Sequence, residues 1–352
     1  MQPVARHFLK IKQFKRSLLT MRALVLTGKK QLALQALPTP TVAANEVLIN
    51  TAYAGICGTD RALYAGLPGS ADAVPPIVLG HENSGTVAAV GANVTNVQVG
   101  DRVTVDPNIY CGQCEYCLTD RPELCDHLSA VGVTRNGGLE QSFTAPASVV
   151  YRVPDNVSLK AAATTEPISC AVHGLKLLKL TPYQKALVVG DGFMGQIFAQ
   201  LLQAYGVHQV DLAGRNDQKL AFNHDKFGVT RTFNTTRDTL PADYDVVIEA
   251  VGLPQTQEQA VEATKKGAQV LMFGVGQPDQ TFSMNTYEVY QKQLTIQGAF
   301  INPYAFKDSL ALLASGQLDV ESLISHEVSL EQVEDVLNGQ VSGVSKAVVK
   351  VQ

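Results

Sequence analysis

The chain has 352 residues, 45% of them hydrophobic and 17% charged, which suits two domains because single cores stop growing at about 250–300 residues. Its net charge of −4 gives a nucleic-acid partner no electrostatic support. No apolar run reaches the roughly 18 residues of a membrane span, so no transmembrane helix and no membrane partner are expected.

Charge is spread unevenly. Residues 1–20 hold Arg6, Lys10, Lys12, Lys15 and Arg16 with no acidic residue, and read as a disordered basic extension ahead of a strand at 21–26. Six cysteines at irregular spacing in a chain of this size do not make a secreted disulfide scaffold, and four of them are tightly clustered. Such usage points to metal and to a reducing compartment, so a cytoplasmic protein is expected.

Up to about residue 154 the chain reads as short strands, among them 47–50, 85–90 and 101–105. Turn signals such as Gly66-Leu67-Pro68-Gly69 and Asn136-Gly137-Gly138 separate them. This is the texture of a compact, strand-rich domain. It changes after Ser158. Residues 159–165 and 171–180 read as helices, and the apolar run 186–189 suits a strand buried on both faces of a parallel sheet. Helical segments at 196–205, 218–227 and 257–265 then alternate with strands at 209–213, 244–250 and 269–273, which predicts a doubly wound α/β domain. From Gly298 onward the pattern returns to the first domain and ends in a strand at 347–351.

Cys111, Cys114, Cys117 and Cys125 form C-x2-C-x2-C-x7-C. Two-residue spacing lets thiolates converge on one tetrahedral ion, and four sulfurs close its shell against water, so a structural zinc is expected. A nucleic-acid-binding zinc ribbon is disfavoured. The loop carries Glu115, Asp120, Glu123 and Asp126 against the single Arg121.

Upstream stand Gly55-Ile56-Cys57-Gly58-Thr59-Asp60 and Gly80-His81-Glu82-Asn83. Together with the cysteine cluster they resemble the zinc-containing medium-chain alcohol/polyol dehydrogenases over residues 21–352, most of all the sorbitol dehydrogenase-like branch. That resemblance implies a GroES-like, strand-rich catalytic domain (21–170 and 299–352, with a structural zinc lobe at 106–126) and a Rossmann-type, doubly wound parallel-sheet cofactor domain (171–298). It also implies a catalytic zinc on Cys57 and His81, with Glu82 and Glu166 as the two candidates for the remaining protein ligand. Such a zinc polarises a carbonyl, or lowers the pKa of an alcohol so that hydride can leave. Thr59 matches the hydroxyl that bonds the substrate oxygen and starts a proton relay. Where many relatives carry a histidine five residues after the ligand cysteine, this chain has Ala62. The relay is therefore expected to end in ribose hydroxyls and water, or in Tyr64.

Residues 186–195 place Gly190, Gly192 and Gly195 as G-x-G-x-x-G between a predicted strand and a predicted helix, with Phe193 and Met194 opening the helix. This context is the dinucleotide fingerprint, in which glycines permit close pyrophosphate approach at a helix N-terminus. NAD readers usually place an acid about 20 residues farther on. Here that position holds Gly214, followed by Arg215. A cation suits a 2′-phosphate, so NADP(H) is expected to be preferred and NAD(H) possible, with Asp211 as the competing ribose reader if the register is shifted.

Polyol dehydrogenases resembling this chain often carry an arginine near 298–301; here Ile301 and Asn302 occupy that stretch. Arg61 is a candidate for an anionic substrate group, with an exposed or structural arginine as the favoured reading. Cys170 and His173 read as packing residues. Segment 294–300 reads as an edge strand able to pair with a second copy, so a homodimer or homotetramer is expected. The expected reaction is hydride transfer between a secondary alcohol or polyol and the nicotinamide. A phosphorylated polyol is the alternative substrate, and a non-catalytic dinucleotide-binding zinc protein the rival of another class. A zinc-free quinone reductase is disfavoured by Cys57, His81 and the complete cysteine lobe.

Overall fold

A computed structural model describes residues 20–352. The extension expected at 1–20 lies outside the described residues except for Thr20, which opens the strand Thr20–Gly28. The first half is built around β1 (Glu46–Ile56) and its antiparallel neighbour β2 (Glu82–Val90). They belong to a mixed seven-stranded sheet, which also takes the strand Ala347–Lys350 antiparallel onto β1. Helix α1 (Gly58–Tyr64) leaves the end of β1 directly. The expected return of the chain after Gly298 therefore becomes a shared sheet.

The second half opens with α2 (Thr165–Lys176) and β3 (Lys185–Val189). It continues through α3 (Phe193–Ala204), β4 (Gln209–Gly214), α4 (Asp217–Phe227), β5 (Arg231–Asn234) and β6 (Tyr244–Glu249). Then come α5 (Pro254–Glu262), β7 (Thr264–Met272), α6 (Thr286–Lys292) and β8 (Thr295–Gly298). All six strands are parallel, in the order β5-β4-β3-β6-β7-β8. That is the doubly wound order in which the chain reverses direction beside β3, and ligands bind at the carboxyl ends of strands there. The apolar run in β3 explains the central position. Ala186 and Val188 enter one core while Leu187 and Val189 enter the other, as a strand covered on both faces requires.

Three helix boundaries differ from the sequence expectation. Helix α3 begins at Phe193 rather than 196, because Gly192 sits extended at its N-cap. Helix α5 begins at Pro254, where proline's fixed φ suits the first turn, and ends before Thr264, which already belongs to β7. Helix α2 starts at Thr165 rather than 171 and so crosses residue 170, the expected domain boundary. Ile168, Ala171, Val172 and Leu175 pack in one core with Ile197 and Phe198 of α3 and with Ala305 and Leu313. The junction is packed helix, not linker.

Candidate active site

Gly55 of β1 lies opposite Glu82 of β2. A Cβ on Gly55 would fall 1.8 Å from Glu82 Oε2, so glycine opens the space that the buried carboxylate occupies. The chain then turns at Cys57, which caps α1, and the Cys57 N–H donates to Asp60 Oδ2 at 2.8 Å. The other oxygen, Asp60 Oδ1, lies 3.3 Å from His81 Nδ1. With a carboxylate facing Nδ1 at ion-pair distance, Nε2 is the nitrogen better placed for a metal. Cys57, His81 and Glu82 each bring one ligand atom to within 4.8 Å of the others. A thiolate, an imidazole and a carboxylate with one position open form a donor set for catalytic zinc. Burial opposes charge on His81, yet Asp60 and Cys57 outweigh it and hold the ring's pKa well above its usual value. Metal binding at such a site releases protons.

Glu82 has a partner that sequence reading missed. The ammonium of Lys346, itself buried, pairs with both carboxylate oxygens, donating to Oε1 at 2.6 Å, and also donates to the Ile56 carbonyl at 3.2 Å. Oε2 is buried without further hydrogen bonding, so it remains available to an ion. Glu166, in the first turn of α2, is buried too but lies outside the three-atom set. Burial pushes its carboxyl up to about 7, against the pull of His81 and with the push of Glu82. A divalent cation nearby would reverse that shift. Cys170 donates from Sγ to Glu166 Oε1 at 3.3 Å, so its packing role includes holding this carboxylate. His173 is buried, as expected of a packing residue.

Thr59 stands in the first turn of α1. Its methyl lies 2.9 Å from where a Cβ on Gly69 would be, and its half-buried hydroxyl has no hydrogen bond to the described residues. One expectation is corrected here. The Tyr64 hydroxyl donates to Glu334 at 2.7 Å and accepts from Asn338 at 3.2 Å, so it is committed elsewhere and does not end a relay. Arg61 is exposed and donates to the Val336 carbonyl at 3.3 Å, a tie to the C-terminal helix. Asn302 is fully buried. It donates to Asp106 at 3.2 Å and Ser169 at 2.7 Å and accepts from Asn108 at 2.7 Å, so it braces the interior instead of meeting substrate. Burial pushes Asp106 up to about 6 within this network.

The four lobe cysteines also converge within 4.8 Å of one another. Cys111 Sγ and Cys117 Sγ are 3.9 Å apart, close to the roughly 3.8 Å edge of a tetrahedron with Zn–S of about 2.3 Å. Backbone N–H groups of Cys114 and His127 point at Cys111 and Cys125 sulfurs, each at 3.4 Å. A two-stranded ladder, Asn108–Ile109 with Ser129–Ala130, closes the lobe at its base.

At the end of β3, Gly190 has φ +129°, and a Cβ on Gly195 would fall 1.8 Å from the Gly190 carbonyl oxygen. Glycine lets α3 approach the strand that closely. Above Gly192 the space is open, as a pyrophosphate at the start of α3 requires. Phe193 and Met194 pack into the core, so their contribution to a cofactor is the helix N-terminus they build. Asp211 is fully buried, bonded by Arg231 at 2.7 Å and by the Tyr244 hydroxyl at 2.7 Å. It cannot read a ribose. Gly214 ends β4 and Arg215 follows it, exposed. The carboxylate that sequence reading found missing from this position arrives from elsewhere. Asp191 Oδ2 accepts the N–H groups of Arg215 and Asn216, both at 2.7 Å.

The alcohol dehydrogenase GroES-like domain profile matches residues 43–155, and the zinc-binding dehydrogenase profile matches residues 194–315. Sorbitol dehydrogenase of Bacillus subtilis is 30% identical over 90% of this chain and 92% of its own length. A zinc-binding dehydrogenase of Sinorhizobium meliloti, solved with NADP, superposes with a TM-score of 0.90 at 28% identity, covering 94% of this chain and 99% of that one. An alcohol dehydrogenase of Escherichia coli, solved with NADH, gives 0.85 at 26% identity, with 94% and 99% covered. Sheet order, ligand geometry and these likenesses agree: the chain belongs to the zinc-dependent alcohol/polyol dehydrogenase family.

Proposed function

We propose that the protein oxidises a secondary alcohol or polyol, or reduces the matching ketone or ketose, with two zinc ions per chain. Cys57, His81 and Glu82 hold the catalytic ion, and Cys111, Cys114, Cys117 and Cys125 the structural one. The observation that carries this reading is the convergence of three dissimilar ligand atoms within 4.8 Å. When bound, zinc supplies Lewis-acid polarisation of a substrate oxygen and the nicotinamide supplies hydride exchange. The chain supplies everything else. Asp60 fixes the His81 ring, Gly55 leaves room for Glu82, and Lys346 balances its charge. The Thr59 hydroxyl, without a hydrogen-bond partner among the described residues, takes or gives the substrate proton. Ala62 offers no side chain to continue the relay, so beyond Thr59 the proton would have to leave by solvent or by hydroxyls of a bound coenzyme. Glu166, near enough to feel the charges of His81 and Glu82, would act on the ion from outside its ligand set.

Residues 190–195 would hold the coenzyme, and the start of α3 would take its pyrophosphate. Arg215 favours the 2′-phosphate of NADP(H), whereas Asp191 opposes it. We divide the chain into a catalytic domain, 21–170 and 299–352, and a cofactor domain, 171–298. Among the described residues strand β8 pairs only with β7, and Tyr287, Tyr290 and Val275 are exposed nearby in the chain, 64%, 80% and 90% respectively. An open edge beside apolar surface supports pairing with a second copy into a dimer or tetramer. Six unpaired cysteines support a cytoplasmic location. No helix among the described residues is long and apolar enough to cross a membrane. A phosphorylated substrate is less favoured, because Arg61 is engaged by Val336. Metal analysis should give two zincs per chain, together with nicotinamide-linked oxidation of sorbitol or another polyol. One zinc and no turnover of any secondary alcohol would overturn the proposal.

A further inference from the structure

The carboxyl end of β4 is where a ribose-reading acid ordinarily stands, and this chain has Gly214 there. The vacated volume is filled. A Cβ built on Gly214 would lie 2.4 Å from Asp191 Cβ and 2.4 Å from Asp191 Oδ2. The second residue of the glycine turn has thus crossed to the end of the neighbouring strand, and only glycine at 214 admits it. Oδ2 takes the N–H groups of Arg215 and Asn216, while Oδ1 has no partner among the described residues. Two backbone donors converging at a strand-to-helix turn are what a 2′-phosphate would use, and Asp191 already occupies both. The Arg215 guanidinium is exposed and makes no hydrogen bond or ion pair among the described residues. The other guanidinium tied into this turn, Arg237, is bound to Asp217 by two bonds of 2.7 and 3.0 Å.

We infer that Asp191, from inside the glycine turn, is the residue that decides the coenzyme: it reads the adenosine ribose and makes NAD(H) preferred despite Arg215. This rests on the reading of residues 190–195 as the dinucleotide site. A ribose diol donates to a carboxylate, as the acid at the strand end does in NAD sites. A 2′-phosphate meets the same carboxylate as a like charge and finds its backbone donors taken. Removing Asp191 frees two N–H groups beside an unpaired guanidinium, which together form an anion site.

The test is direct binding of NADH and NADPH, by calorimetry, to the zinc-loaded protein and to Asp191→Ala, Asp191→Asn and Asp191→Ala/Arg215→Ala. The unaltered protein should bind NADH more tightly than NADPH by about tenfold or more, the worth of a hydrogen bond to a charged group. Asp191→Ala should weaken NADH and tighten NADPH, inverting the order. Adding Arg215→Ala should abolish the NADPH gain. If the alanine variant does not fold, Asp191→Asn, which keeps an acceptor for the turn and drops the charge, must move the ratio the same way. Preference for NADPH in the unaltered protein, or a ratio unmoved by all three variants, overturns the inference while leaving the site intact. Binding of neither nucleotide overturns the site and the inference together.

Discussion

Glu140 offers the sharpest test of the energetics. Its side chain is fully buried and neither carboxylate oxygen has a hydrogen-bond partner among the described residues. Burial alone pushes its pKa from the usual 4.5 up to about 8. The folded state therefore holds a proton that the unfolded chain has released across that interval. Its contribution is fully present below pH 4.5 and is lost as pH rises toward 8, at about 1.4 kcal/mol per pH unit. Between pH 5 and 7 the loss is roughly 3 kcal/mol, a large share of a typical folding free energy. Glu140→Gln substitutes a neutral isostere. Its amide leaves hydrogen bonds unmade, but that penalty is the same at every pH. The stability difference between variant and parent should thus shift in the variant's favour by about 1.4 kcal/mol per unit from pH 5 to 8. Urea unfolding of both proteins at matched zinc concentration measures it. Asp106 and Glu166 shift in the same range, but they do so in both proteins and cancel. A difference that stays flat from pH 5 to 8 would refute the reasoning.

Three further outcomes follow from the site. Gly55→Ala drives a methyl into Glu82 Oε2, so metal analysis should fall from two zincs to one, with activity lost. Thr59→Val keeps the shape and removes the hydroxyl. Turnover should drop by about a hundredfold or more at unchanged zinc content, and Thr59→Ser should restore most of it. Lys346→Met leaves Glu82 buried without its cation, which should destabilise the fold by about 3–5 kcal/mol. The double variant Glu82→Gln/Lys346→Met should recover much of that loss in the same denaturation assay.

The parts of the molecule legible in the sequence were those encoded at short range. The lobe cysteines announce by their spacing that four sulfurs converge, and the run 186–189 announces a strand buried on both sides. Glycines 190, 192 and 195 announce the turn that follows it. What could not be read were pairings between residues far apart in the chain. Lys346 meets Glu82 across 264 positions, and Asn302 meets Asp106 across 196. Tyr64 looked available for a relay because nothing near it in sequence announces Glu334. Asp60 was visible, three residues after Cys57, but only the fold brings its second oxygen to His81. The aspartate at 191 was a signal present and unused, since an acid inside a glycine turn and a glycine at the acid's usual place are complementary departures.

The dependence of the metal site on the C-terminal segment follows from strand register. Ala347 pairs with Ile56 and Val348 with Gly55, while Gly55 pairs with Glu82 on the other side. Lys346, one residue before that ladder, thereby reaches the end of β1 where the Ile56 carbonyl and the Glu82 carboxylate meet. Sliding the last strand by one residue would turn Val348 and Val349 inside out and carry the ammonium away. The buried valines that fix this register, both 0% exposed, thus also set the charge balance of a candidate zinc ligand. Site chemistry should therefore be sensitive to substitutions at Val349, which pairs with Ala54 in this ladder and is not itself a candidate ligand. Val349→Ala, a core truncation worth about 1–3 kcal/mol, should loosen the strand and lower zinc affinity at the Cys57 site before it affects the lobe. Equal loss of both zincs in a chelator titration would show that the register carries no such coupling.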